Sequence, residues 1–369
     1  MLLVRTILIL LLMALGLAGC QLCDDPVAPG PTAGKAELMY TEMLPWGSTV
    51  APRIFRSRAD GTDQRVYVTT SGYITDRGFL FSSPWNGRIA FHGDPQPQGN
   101  GDEIVDLVIA NVDGSNATVL DADVSAMSVL HPVVSPNGDR VAVSLDKRQR
   151  STDIVIYDVA SRAKRTIASD LQSESAPFFT ADGRRLFYYS SNGEIISIAA
   201  DGSDRRVIVR DAFADQDYRS WLDISADGLL MVYMQKDDVS SLPRIAVCDL
   251  ATGTSTPIGT ISHYGLWPTF APDGRSIAFV AAYDVSTAQP STSIAIYDVQ
   301  ARTVRDLKAP KSTEWPMFPQ WSPNGDMLCA TVTMGSSQDE GTYTVRVYDV
   351  AAGTSALIAS NVALAYWVR

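Results

Sequence analysis

Residues 135–143 read Ser-Pro-Asn-Gly-Asp-Arg-Val-Ala-Val (SPNGDRVAV), and their kind of phrase recurs along the chain. The copies are SPWNGRIAF, TADGRRLFY, SADGLLMVY, APDGRSIAF and SPNGDMLCA, with turn glycines Gly87, Gly138, Gly183, Gly228, Gly274 and Gly325 across the set. Successive glycines stand 51, 45, 45, 46 and 51 residues apart. Each phrase reads as the end of one strand, a tight turn and a β-rich strand. Glycine supplies the positive φ of such a turn, while Asn or Asp tolerates it or bonds its own backbone.

A second phrase follows each turn: DLVIANVDG, DIVIYDVAS, EIISIAADG, RIAVCDLATG, SIAIYDVQA and TVRVYDVAAG, with an earlier copy, RIFRSRADG, at 53–61. Each is an alternating strand that ends in a polar turn and leads to a fourth strand such as RRVIV or TVRDL. Four strands in a repeat of this length describe a propeller blade. A single blade cannot bury both faces, so the blades must stack in a ring. Two unrelated β-sandwiches, the other all-β arrangement, give no reason for six matched turns.

The chain ends count the blades. Three strand candidates open the body, ELMYTEM, RIFRSRADG and QRVYVTT, and NVALAYWVR closes it, matching only the first strand of a repeat such as MFPQWSP. The spare last strand therefore completes the three-stranded first blade. The expectation is an all-β, seven-bladed propeller of four-stranded blades over residues 37–369, closed by the C-terminal strand pairing with the N-terminal ones.

These phrases resemble the Pro-Asp-Gly β-propeller repeats of the TolB family, over nearly all of residues 37–369. The resemblance implies the fold and says little of function. TolB itself is periplasmic and carries a separate N-terminal α/β domain; here the expectation is a propeller on a lipid anchor instead, which separates it from a TolB-type role in envelope assembly. Prolyl-oligopeptidase-like peptidases use the same repeats, but this sequence shows no Gly-x-Ser-x-Gly elbow.

The first residues, MLLVRTILILLLMALGLAGC, set Arg5 before an apolar stretch from Ile7 to Leu17 and then small residues. That is the layout of a secretory signal, and the stretch is short of the ~20 residues a membrane span needs. Leu17-Ala18-Gly19-Cys20 resembles a bacterial lipobox. The resemblance implies a signal peptide over 1–19, acylation of Cys20 and, with Gln21 following, sorting to the outer membrane where there are two membranes. An ordinary signal cut at Ala18 or Gly19, or an uncleaved anchor, is the other reading. Residues 20–36 make a flexible tether with three prolines and two glycines in QLCDDPVAPGPTAGK. The location expected is the cell envelope, with the membrane itself as one partner through the lipid.

A net charge of -11 argues against nucleic acid, whose phosphates call for surplus Lys and Arg. The acidity suits solubility. Of the four cysteines, Cys23 lies in the tether, while Cys248 and Cys329 fall in strands of different repeats and read as buried free thiols. Only three histidines occur, His92, His131 and His263. There is neither a His-Glu-x-x-His nor a pair of Cys-x-x-Cys motifs. A zinc site is therefore not expected, and the histidines are too few for the metal site that oligogalacturonate lyases, propellers of related repeat type, build above their channel. No cofactor is expected. Asp215, Asp217, Asp237 and Asp238 read as a solvated acidic face, with a structural calcium as the alternative. Asp158, Asp249, Asp298 and Asp349 of the second phrases read as turn residues and not as a catalytic set.

Register locates the candidate site. Seven residues before each turn glycine, where the inner strand is expected to start, stand Leu80, His131, Ala176, Trp221, Trp267 and Phe318, with Leu364 equivalent in the closing strand. These should circle one mouth of the central channel. Loops leading to that rim add Glu174, Tyr218, Arg219, His263, Tyr264, Glu314 and Trp315. Rigid aromatics beside a few charges suit recognition, although Trp and Phe at matched positions equally fill the wedge between blades. The loops between second and third strands share this rim and are long in several blades, such as AYDVSTAQPSTS at 282–293. The expected function is binding of a protein, peptide or glycan at this rim. A polysaccharide lyase or hydrolase working in the same mouth is the alternative, and a structural role through the outer strand edges is a third reading.

Overall fold

The structure, a computed structural model, describes residues 36–42, 53–68, 82, 85–93, 104–125, 132–146, 151–170, 172–213, 221–237, 242–258, 264–283, 291–308, 313–334 and 342–368. All regular structure among them is antiparallel sheet, in seven sheets. Blade 1 orders its strands Val362–Trp367, Glu37–Glu42, Ile54–Arg58 and Arg65–Val68. Blades 3 to 7 each run through four consecutive strands, beginning at Val133, Glu174, Leu222, Tyr264 and Glu314. Blade 2 shows three, Arg88–Gly93, Ile104–Asn111 and Thr118–Ser125. The stretch expected to hold its first strand, with Leu80, lies outside the described residues. Ser82, at that stretch's edge, donates its N–H to the Ala90 carbonyl (2.8 Å).

Five of the six repeated turns, at Gly138, Gly183, Gly228, Gly274 and Gly325, close by one backbone device, whereas in blade 2 the left-handed pair Asn86-Gly87 links Trp85 to Arg88 directly. In blade 5 the Gly228 N–H donates to the Ser225 carbonyl (2.8 Å), the span of a four-residue turn. The Ser225 hydroxyl donates to Asp227 Oδ1 (2.6 Å) and accepts the Leu230 N–H (2.9 Å), and Asp227 Oδ1 also accepts the Leu229 N–H (3.0 Å). Gly228 has φ +72°. The Ser225 N–H donates to the Leu230 carbonyl (2.9 Å), so the hairpin loop is the four residues Ala226–Leu229, built around a tight turn and a left-handed glycine.

The core consists of seams between blades. The second and third strands of each blade are apolar on both faces, and the buried residues fall into seven clusters. Every cluster draws on two consecutive sheets. One seam joins Val141 and Val143 of blade 3 to Leu107 and Ile109 of blade 2, and another joins Met231 and Tyr233 of blade 5 to Tyr189 of blade 4. Seven sheets in an open row would have six seams. The seventh sets Met327, Cys329, Val345 and Val347 of blade 7 against Leu38, Tyr40 and Trp367 of blade 1, so the row closes into a ring.

Ring closure is also a matter of register. Val362–Trp367 pairs antiparallel with Glu37–Glu42, matching Leu38 with Trp367, Met39 with Tyr366 and Glu42 with Val362. The last strand therefore supplies the first position of the first blade, as the repeat count requires. Cys248, in the third strand of blade 5, and Cys329, in the second strand of blade 7, are free and buried. Cys20 and Cys23 lie outside the described residues.

Candidate functional site

Strand direction defines two faces. Each first strand runs toward the Ser-Pro-Asp-Gly turn, so these turns and the third-to-fourth turns share one face, here the turn face. The opposite loop face collects the connections from second to third strands and from one blade to the next. His131, Tyr218, Arg219 and His263 lie outside the described residues, as do the side chains of His92, Tyr264 and Leu364. Tyr264 opens the first strand of blade 6 at the loop face.

The matched register positions do not stand at strand starts, as the repeat count suggests, in three blades. Ala176 lies within Glu174–Phe179, Trp267 within Tyr264–Phe270 and Phe318 within Glu314–Trp321. All three have left-handed backbones, with φ of 51°, 52° and 52°. The pairing with the second strand shifts at each one, between Ser175 and Phe178, Leu266 and Thr269, and Met317 and Gln320. A bulge therefore kinks each inner strand midway and re-aims the side chain. A left-handed Trp or Phe is costly without support from its surroundings, and no glycine marks the position in the sequence. In blade 5 the expectation holds, since Trp221 directly precedes Leu222–Ile224.

Three of these aromatics meet. The rings of Trp267 and Phe318 are 4.7 Å apart by centroid, and those of Trp221 and Phe318 are 5.7 Å apart, both tilted. Trp221 belongs to blade 5 and Phe318 to blade 7, so they touch across the front of blade 6. Side chains of alternate blades meet only if they point toward the axis. The cluster thus fills part of the channel on the side of blades 5 to 7. Trp267 is 6% exposed, which makes it a packing residue of the blade 5–6 seam, whereas Trp221, Phe318 and Trp315 are half-buried. The Trp267 indole N–H is enclosed without an acceptor among the described residues.

Two other tryptophans have a different role, which the sequence reading did not single out. Trp321 Nε1 donates to the Thr269 carbonyl (3.1 Å) and Trp367 Nε1 to the Gln320 carbonyl (2.9 Å). Each latches its first strand to that of the preceding blade. Asp223 does the same for blades 5 and 6, its Oδ2 accepting from Thr269 Oγ1 (3.0 Å) and the Phe270 N–H (2.8 Å). At the loop face Thr152 donates to the Glu174 carbonyl (2.6 Å) and Thr292 to the Glu314 carbonyl (2.5 Å). Both pairs are 22 residues apart, a spacing that the sequence does display. Glu174 is fully buried at a strand start and not on a rim loop, and its Oε1 accepts the Asp170 N–H (3.0 Å).

The titratable groups describe a framework. Asp158, Asp249, Asp298 and Asp349 each accept a backbone N–H from the turn that follows, from Ser161, Thr252, Ala301 and Ala352 respectively, at 2.7–2.8 Å. Backbone hydrogen bonds from Ser161 and Thr252 hold the Asp158 and Asp249 carboxyls below their ordinary range. Burial raises the Tyr189 and Tyr366 phenols and the Cys248 thiol. Asp237, one of the acidic residues considered for calcium, is faced by Arg244 (3.6 Å), while Asp215, Asp217 and Asp238 lie outside the described residues. Among the described residues, no three His, Cys, Asp or Glu side chains are grouped to hold a metal. No helix among them is long and apolar enough to cross a membrane.

Comparison with known proteins follows the fold. TolB of Acinetobacter baumannii superposes with a TM-score of 0.54 at 18% identity, over 90% of this chain and 82% of that one. A puromycin-hydrolyzing peptidase of Mycobacterium tuberculosis gives 0.62 at 14%, over 90% of this chain and 53% of the peptidase. An oligogalacturonate lyase in complex with manganese gives 0.57 at 10%, over 88% and 86%. At these identities the likeness is one of fold alone, which by itself carries no activity. No curated protein matches the chain. A family model for the TolB beta propeller domain matches residues 81–347, well over half of the sequence. By this match, by its turn-glycine repeats and by its closed ring of blades, the chain belongs to the TolB beta-propeller family.

Proposed function

We propose that this chain is an exported lipoprotein whose propeller holds a protein, peptide or glycan partner at the loop-face mouth of its channel. The observation that carries the reading is the convergence of Trp221 and Phe318 across blade 6, which puts half-buried aromatic surface at the axis. Such side chains bury much area at low entropic cost. Among the described residues, the charged groups nearby serve seams and turns, which favours holding a partner over transforming one. Export rests on the signal-like leader and anchoring on Cys20, and the family resemblance is consistent with a place in the envelope.

The test is crosslinking in intact cells followed by identification of what is captured, comparing wild type with Trp221→Ala. The reading expects loss of a specific captured species with little change in melting temperature. Unchanged capture, or a large drop in melting temperature, would return Trp221 to packing.

A further inference from the structure

The mouth and the point where the chain enters the ring lie on opposite faces. Strand Glu37–Glu42 begins at the turn face, where Glu37 pairs with Arg58 and Leu38 with Trp367. The Ala36 carbonyl accepts the Ala59 N–H (2.9 Å) and the Glu37 carbonyl accepts the Val368 N–H (2.9 Å). Ala36 also packs against the seam between blades 7 and 1. The entry is therefore fixed beside the Ala59–Gly61 turn and belongs to the rigid body.

From this geometry we infer that the turn face is the membrane-facing surface and that the mouth opens away from the anchoring bilayer. The inference rests on the reading of Cys20 as the lipid anchor. Fifteen residues, 21–35, separate that cysteine from Ala36. Read from composition as a Pro- and Gly-rich linker, they would span roughly 20 Å r.m.s., taking about 5–6 Å times the square root of their number. First and second strands of six to eight residues in blades 1, 4, 6 and 7 make a blade roughly 20–25 Å tall. With the turn face down, the tether keeps its relaxed length. With the mouth down, the tether must first climb the side of the ring, which takes it from its relaxed span toward its limit of roughly 50 Å, and stretching a chain costs entropy. A partner at the mouth then approaches from the side away from the lipid, which excludes the anchoring membrane's own headgroups as the ligand.

Two positions at opposite ends of one strand test this. Gln172 is exposed at the loop face before Glu174–Phe179, and Ala181 is exposed in the turn after it. The full acylated chain carrying Cys23→Ser and either Gln172→Cys or Ala181→Cys is labelled with one donor dye, Cys248 and Cys329 being buried. It is then reconstituted in phosphatidylcholine vesicles with a headgroup-borne acceptor. Energy transfer several-fold stronger from position 181 than from 172 is expected. Equal transfer, or stronger transfer from 172, overturns the orientation. A Cys20→Ser chain should not bind the vesicles. If it binds as well as the acylated chain, the anchor reading fails and takes the orientation with it, an outcome distinct from bound protein lying mouth-down.

Discussion

At the scale of single residues, the repeated turn separates backbone strain from contact loss. A methyl group added at Gly228 meets nothing within 4 Å, so Gly228→Ala tests φ +72° by itself. We expect about 1–2 kcal/mol of destabilisation by chemical denaturation. Asp227→Ala removes the acceptor of the Leu229 N–H and the Ser225 hydroxyl, expected to cost about 1 kcal/mol. The side-chain bond from Ser225, then the backbone bond from Leu229, lowers the Asp227 carboxyl below its ordinary 3.8, and Asp182 is lowered likewise by Thr180 and Arg184. A depressed folded pKa adds stability that is present above the unfolded value and lost as pH falls through the folded one. The melting temperature should therefore hold from pH 7 to about 5 and decline below about pH 4. A decline that begins near neutrality would contradict this origin. These turns were legible in the sequence because glycine and its Asx neighbour each answer a local requirement. The left-handed backbones of Ala176, Trp267 and Phe318 were not legible, because what holds them there is the surrounding ring.

At the scale of strands and seams, the tryptophans make opposite predictions. Trp321→Phe strips a buried carbonyl of Thr269 of its donor and should cost about 1–3 kcal/mol. Trp267→Phe removes an indole N–H that has no acceptor among the described residues, so it should cost less than Trp321→Phe although both rings are buried. Trp267→Ala, by contrast, empties a seam and should cost about 3–5 kcal/mol. Parallel thermal melts of the three variants check the ranking, and equal losses for the two Phe variants would refute it. Register counting found the positions that share a rank in each blade, yet it misplaced strand starts in blades 4, 6 and 7. A bulge adds a residue without leaving a compositional mark, and a count from the turn glycine cannot see it. Nor could the count separate Trp267, enclosed in a seam, from Trp221, which keeps exposed surface. That difference arises only when neighbouring blades are in place.

At the scale of the molecule, the claim from which the rest follows is that seven wedges close through the chain termini. Repeat number and the unmatched strands at both ends made this readable, since ring closure is a matter of strand arithmetic. The partner was not readable, because the mouth is assembled from loops of different blades and from side chains that no repeat dictates. The most direct measurement is native-state hydrogen exchange on the full chain and on one ending at Asn361. In the full chain, the amides of Glu37–Glu42 and Val362–Trp367 should exchange as slowly as those of Leu230–Lys236 in blade 5. In the shortened chain, protection over Glu37–Glu42 should collapse as the first blade loses its inner neighbour. Protection there that is unchanged by removing Val362–Trp367 would contradict the closed ring.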